Sequence, residues 1–362
     1  MENIFIQSIT TFISTLILTG LLIQIYIKVS KKVGLVDQPG TRKIHQQSIP
    51  LVGGLAIFTA MAITAFFNPT ILLSVLIYKN SFIALSLIFF MSVYDDRFDL
   101  SAKLRLLIQI TAAFLVAYSG VRIESMFGLF GIHAISVEFQ YIITIIVLVG
   151  STNAFNLIDG VDGLAGSLGL ITSLLLGGIS LALGQTNLFF LCLGLAGAII
   201  AFLKFNLFPA KIFMGDAGSM TLGFLLTLIS IILLQSALYQ PSPQVTFILI
   251  TTGLMVPVVD AIRVFLKRYS SGDSILAADK SHLHHLLLHS KKNHAHVVYS
   301  IVGLQITLIV TGLLLSTFIN STIVILALIL CQVIISKVLM IDKTLAEWQA
   351  QLQQNEKVLN RE

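Results

Sequence analysis

Charge is scarce in this sequence. Asp, Glu, Lys and Arg make up 11% of its 362 residues, where a water-soluble fold carries about 25%. With 56% hydrophobic residues and a mean hydropathy of +0.95, lipid must solvate most of the chain. Cysteine is nearly absent. Cys192 and Cys331 both lie inside apolar stretches, which excludes a disulfide-stapled secreted fold and a Cys/His metal module. No internal repeat is visible, which counts against a secondary transporter built from paired interrupted helices. The net charge of +5 comes from basic residues at the ends of apolar runs. That placement reads as membrane orientation and gives no nucleic-acid partner. The first run, 4–27, lacks a basic leader and an A-x-A-like cleavage site, and Lys28, Lys31 and Lys32 follow it. It reads as a retained first helix with the amino terminus outside.

Apolar runs recur at 4–27, 51–67, 71–94, 104–120, 139–155, 163–183, 187–205, 217–238, 244–267, 297–318 and 320–340. They predict an all-α polytopic membrane protein of about eleven transmembrane helices. Lys79 and Asn80 interrupt the third run, so part of 68–80 is expected as an outer loop, with the helix starting nearer Ser81. With the amino terminus outside, the inner connections are 28–50, 95–103, 151–162, 204–216 and 267–296, and every Lys and Arg except Lys79 and Arg122 falls on the inner side or in an adjoining turn. The positive-inside rule favours this orientation over its inverse. Segment 120–140 alternates around Gly128 and Gly131 and suggests a short hairpin at the outer surface. The transmembrane domain is taken as 1–340 and the inner tail as 341–362, where Leu345, Trp348, Leu352 and Leu359 share a helical face. An interfacial helix and a solvated tail fit that pattern equally.

The acidic residues gather on the inner side. Asp95 and Asp96 stand together at the end of the third run, and neighbouring carboxylates are most comfortable around a cation or a shared proton; a hydrated helix end is the bland alternative. In Asn153–Gly163, a spacing of three brings Asn156, Asp159 and Asp162 together if the helix continues, with Gly160 and Gly163 beside them. Hard oxygen donors next to glycines suit magnesium and a diphosphate, although a capped turn has the same composition. The closing Glu of a calcium loop is missing. In Asn206–Ser219, Gly215–Ser219 opens a span, so helix-terminal N–H groups would face phosphate, Asp216 would hold a metal and Lys211 would offset charge. A plain N-cap Asp is the competing reading. Last come Lys280, His282, His284 and His285, followed by His289, His294 and His296. Hydrogen bonding to a diphosphate suits these histidines better than zinc does. Asp260, three residues before Arg263 and after Pro257, is either functional or neutralised within its helix.

Taken together, Lys32–Pro39, Arg42–His45, Ile49–Gly54, Asp95–Asp99, Asn153–Leu164, Phe213–Ser219 and His282–His285 resemble the polyprenyl-phosphate N-acetylhexosamine-1-phosphate transferases, in family order from the first span to the last loops. The pattern is most similar to the bacterial members that use undecaprenyl phosphate and UDP-GlcNAc. The sister group acting on phospho-MurNAc-pentapeptide has a Lys and a Thr-Pro-Thr-Met-Gly-Gly segment where this chain has Gln46 and Ile49–Gly54, and consecutive histidines where it has His282-Leu283-His284-His285. The resemblance implies catalytic roles for Asp95, Asp96, Asp159, Asp162 and His282. It implies substrate contacts from Arg42, His45, Asn156, Asn206, Lys211, His284 and His285, and metal ligation by Asp216 with Asp95 and Asp159. The implied cofactor is magnesium, replaceable by manganese, and the implied partners are undecaprenyl phosphate, UDP-GlcNAc, the bilayer and, as an open option, a second copy in a homodimer. The implied setting is a bacterial inner membrane with the site facing the cytoplasm. Direct in-line attack by the lipid phosphate is the favoured route, and an aspartyl intermediate at Asp159 or Asp95 stays open.

Overall fold

The computed structural model describes residues 2–37, 48–272, 281–289 and 293–359; Arg42, His45, Asp273, Asp279 and Lys280 lie outside the described residues. Helix α1 (Glu2–Val33) leads into β1 (Val36–Asp37), which pairs antiparallel with β2 (Ile49–Pro50). Helices α2 (Gly53–Phe67), α3 (Pro69–Ile77), α4 (Lys79–Phe98) and α5 (Ala102–Tyr118) follow. The hairpin β3 (Ser125–Leu129) and β4 (Ile132–Ala134) precedes α6 (Val137–Ile158), α7 (Leu164–Ala182), α8 (Thr186–Asn206) and α9 (Asp216–Ala237). The chain continues through α10 (Pro243–Ser271), the short α11 (Leu283–His289), α12 (His294–Ser316) and α13 (Ser321–Leu359).

Each apolar run falls on helix, and the hairpin lies within 120–140 as expected. The count of eleven is not reached on length and composition: among the described residues, eight helices are long and apolar enough to cross a membrane, or nine if α2 and α3 form one bent span. The third run also differs from its expectation. Residues 69–77 are helical because Pro69 occupies the first turn and Asn68 Oδ1 accepts from Thr70 N at 3.0 Å and Ile71 N at 3.2 Å. This cap turns the chain by 103° between α2 and α3. Helix α4 then starts at Lys79.

The core is organised around α9, whose whole apolar window is buried, whereas the corresponding windows of α1 and α13 are 17% and 28% buried. A helix that is apolar all round suits that central place, and α2, α4, α6, α7 and α10 pack against it. Its first residue is Asp216, so the most deeply buried of the candidate membrane spans carries a candidate site carboxylate. The segment before it is held by the chain entering α2: Phe213 N donates to Pro50 O at 2.9 Å, Gly53 N to Phe213 O at 3.0 Å and Gly54 N to Met214 O at 2.9 Å. Helix α10 contains Pro257, which has no N–H for the Gly253 carbonyl one turn earlier. Thr172 Oγ1 at 2.8 Å and Gln305 Nε2 at 3.1 Å donate to that carbonyl instead, one route by which proline is accommodated at membrane depth.

Candidate active site

The connections that close the helices at one end surround a cavity of about 1580 Å³. Its wall takes residues from β1–β2, the α4–α5 turn, the α6–α7 turn, the segment 206–216 and the start of α12. Three segments far apart in sequence thus place Asp95, Asp96, Asp159, Asp162 and Asp216 around one space.

Asp95 ends α4. Its Oδ1 accepts from Leu100 N at 2.6 Å, and Arg105 Nη1 donates to Oδ2 at 2.9 Å. The same Nη1 lies 3.3 Å from Asp216 Oδ2. Asp216 Oδ1 accepts from Asn156 Nδ2 at 2.7 Å, and that amide also reaches Ser219 Oγ at 3.1 Å. The cap of α9 is not Asp216 itself. Asp96 fills that role, its Oδ1 accepting from Asp216 N at 2.7 Å and its Oδ2 from Ala217 N at 3.0 Å. Gly215 makes this possible: it holds φ +71°, and a Cβ there would come within 2.7 Å of Asp96 Oδ2. The N-cap reading of Asp216 therefore fails, and its carboxylate faces the cavity.

Burial, and then the nearby Asp216 carboxylate, push Asp96 up to about 7. Asp159 lines the same wall, and burial followed by Asp216, Asp96 and Asp162 pushes its carboxyl well above the ordinary range. Groups that gain and lose protons near neutrality are useful for proton transfer. A group whose folded pKa is raised costs stability progressively as pH climbs from its unfolded value, 3.8, to its folded value, about 7. In metal-free buffer, Asp96→Asn is therefore expected to gain thermal midpoint relative to the parent protein as pH rises across that window, with no further gain above it. A variant that loses ground over the window would show that the carboxylate acts as a permanently charged cap.

Asp162 differs. Burial would raise its pKa, but hydrogen bonds from His294 and the Ala210 amide outweigh that and lower it. Its Oδ2 accepts from Ala210 N at 3.1 Å and lies 3.3 Å from His294 Nδ1. Asn206 is also committed: Oδ1 accepts from Gly163 N and Nδ2 donates to Ile212 O, both at 2.8 Å. It joins the α6–α7 turn to the segment before α9, a structural job that the sequence did not reveal. Lys211, His285 and His294 line the same cavity as the carboxylates.

The histidine segment docks on α10. His282 Nδ1 lies 2.9 Å from Asp260 Oδ2, Leu283 N donates to both Asp260 oxygens, and Arg263 Nη2 lies 2.7 Å from Asp260 Oδ1 and 2.6 Å from the Ser281 carbonyl. Asp260 is thus neutralised locally, as a carboxylate at that depth must be. His284 packs on Gly160, where a Cβ would meet its Nε2 at 2.6 Å, and burial pushes its imidazole down to about 3. That favours the neutral ring, and among the described residues its Nδ1 has no hydrogen-bond partner. Of the three histidines, His285 is the one on the cavity wall.

Arg105 was not singled out as a site residue from the sequence, and Ser219 and His294 stood out only as members of their motifs. The signal for Arg105 was the need of clustered carboxylates for a counter-cation, but Lys103 satisfies that equally on paper. Among the described residues no three metal-ligating side chains converge on one point. Magnesium does not need such a cage, since it usually takes one or two carboxylates and completes its shell with phosphate oxygens and water. Asp95 and Asp216, with a cationic nitrogen already between them, match that donor set.

A family model described as glycosyl transferase family 4 matches residues 78–234, a span that holds all five of these aspartates. The chain is 30% identical over 344 residues to a probable undecaprenyl-phosphate N-acetylglucosaminyl 1-phosphate transferase of Bacillus subtilis, covering 92% of each chain. It is 32% identical over 290 residues to the undecaprenyl-phosphate alpha-N-acetylglucosaminyl 1-phosphate transferase of Escherichia coli K12, covering 77% of this chain and 76% of the relative. The protein of that name from Yersinia pestis is 32% identical over 267 residues, covering 72% and 71%. With the family's span falling on the clustered carboxylates and the likeness to the Bacillus protein extending over 92% of the chain, this protein belongs to glycosyl transferase family 4, the family of these sugar-1-phosphate transferases.

Proposed function

We propose that the protein transfers GlcNAc-1-phosphate from UDP-GlcNAc to undecaprenyl phosphate, as the first step in building a cell-surface polysaccharide. The observation that carries this reading is one cavity lined both by the five carboxylates and by Lys211, His285 and His294, with room for a nucleotide sugar beside a lipid headgroup. The names of the relatives supply the substrate class. An oxygen of the lipid phosphate attacks the β-phosphorus, a new P–O–P bond forms, and the bond to UMP breaks with its electron pair leaving on the UMP phosphate. Asp96 and Asp159 are the candidates to take a proton from the acceptor phosphate. Asn156 and Arg105 fix Asp216 and Asp95, while Lys211 and His285 bind and orient the donor diphosphate. Asp162 keeps the 208–211 segment and His294 in place. Magnesium, held by Asp216 with Asp95 or Asp159, would supply charge neutralisation at the diphosphate.

Purified protein with undecaprenyl phosphate and magnesium should release UMP from UDP-GlcNAc and not from UDP-MurNAc-pentapeptide. Efficient turnover of the peptide-bearing donor, or no UMP from either, would overturn the assignment.

The several apolar helices make this a multi-pass membrane protein. We place it in the bacterial inner membrane with the amino terminus outside, about eleven crossings and the cavity facing the cytoplasm, because that orientation puts nearly all Lys and Arg on the inner side. A single cysteine at Phe130, an exposed residue of the hairpin, should then react with an impermeant reagent on intact cells, and one at Ser271 should not. The opposite labelling pattern would invert the topology.

A further inference from the structure

Arg105 does not face the open cavity as a free anion-binding group. Its Nη1 bridges two carboxylates, 2.9 Å from Asp95 Oδ2 and 3.3 Å from Asp216 Oδ2, in a side chain that is 29% exposed. The other oxygens nearby are engaged: Asp95 Oδ1 with Leu100 N, Asp216 Oδ1 with Asn156 Nδ2, and both Asp96 oxygens with the start of α9. One guanidinium therefore sits where the repulsion among these carboxylates is greatest. Under the proposed function, its partner Asp216 is a metal ligand. A guanidinium and a divalent ion repel strongly at contact distance, so they cannot share Asp216 Oδ2.

We infer that Arg105 is the counter-cation of the metal-free site, holding Asp95 and Asp216 together until a divalent ion displaces it from Asp216. This rests on the metal assignment made above. The contacts are unequal in the required sense. The Asp216 contact is the longer one, and Asp216 is 30% exposed, whereas Asp95 is 1% exposed and fixed to the α4–α5 turn. Displaced from Asp216, the guanidinium keeps its Asp95 bond, which leaves Asp159 as the second carboxylate for the ion. In this scheme Arg105 is a positioning residue that sets both the stability of the empty site and its affinity for the ion.

The test needs no turnover. Thermal midpoints of the purified full chain are followed as magnesium is added, against potassium chloride of equal ionic strength, for the parent protein, Arg105→Gln and Arg105→Lys, with Asp216→Asn as the control that removes the response. Arg105→Gln should have a lower midpoint without metal, yet half-saturate at a magnesium concentration about tenfold lower, because a competing charge is gone. Arg105→Lys, whose point charge engages one carboxylate at a time, should fall between. If the parent responds and Arg105→Gln half-saturates at the same or a higher concentration, the inference is wrong. Should Arg105→Gln fail to fold, a parent-like half-saturation in Arg105→Lys has the same force. A parent protein without any magnesium response would overturn the metal assignment and the inference together, which separates the two failures.

Discussion

Asp216→Asn is expected to lower UMP release by on the order of 10³-fold, since losing about 4 kcal/mol of charge stabilisation at the transition state has that effect. The substitution should leave the fold intact. Asp216 Oδ1 accepts from Asn156 Nδ2, and an Asn side-chain oxygen accepts equally well. The amide of residue 216, which closes the α9 cap with Asp96 Oδ1, is untouched. What disappears is the charge facing Arg105 and the cavity. Because Asp96 and not Asp216 caps the helix, no capping loss confuses the result. Near-normal UMP release by the purified variant at ordinary magnesium concentration would mean that the ion is held elsewhere. A variant lost from the membrane would instead point to a structural role, and thermal unfolding separates the two.

Gly54→Val should act on stability before it reaches chemistry. A Cβ at position 54 would lie 2.1 Å from Gly218 N and 2.2 Å from Gly218 Cα. Both neighbours are backbone, so no side chain can swing aside. Residues 53 and 54 also donate to Phe213 O and Met214 O, which means that relief by separation would break the link between α2 and the segment carrying Gly215 and Asp216. Overpacking in a core costs about 1–3 kcal/mol and more where the backbone must move. A loss above 3 kcal/mol is expected here by that reasoning, read as a sharp fall in folded protein recovered from membranes. Gly20→Ala is the control: nothing lies within 4 Å of a Cβ there, and it should be recovered normally. Equal recovery of both variants would show that α2 and α9 are not in backbone contact.

The contrast between these two substitutions marks how far the sequence could be read. The Ile49–Gly54 and Phe213–Ser219 motifs stand out in the chain, yet nothing local says that they touch. The work of Gly53 and Gly54 is to let two backbones meet. The aspartates were legible as a set, because carboxylates that collect beside apolar runs need a common reason. Their individual roles were not. By resemblance Asp162 is catalytic and Asn206 contacts substrate; in the fold their hydrogen bonds go to His294 and backbone groups. His284 resembles a diphosphate ligand but is buried against Gly160, while His285 beside it reaches the cavity. Helical spacing cannot decide that for a short segment whose direction is set by Asp260.

By itself the sequence determined the all-helical membrane architecture, because burying so little charge and so much apolar surface leaves a chain few other solutions in lipid. It also determined the family, through motifs kept in order along the chain. Tertiary structure alone decided which carboxylate caps α9 and which faces the cavity, since adjacent residues on a helix end point in different directions and only the position of α9 against α4 tells Asp95 from Asp96. It likewise chose Arg105 over Lys103 as their counter-cation: a guanidinium reaches two carboxylates at once only where the packing of α5 against α4 brings it between them.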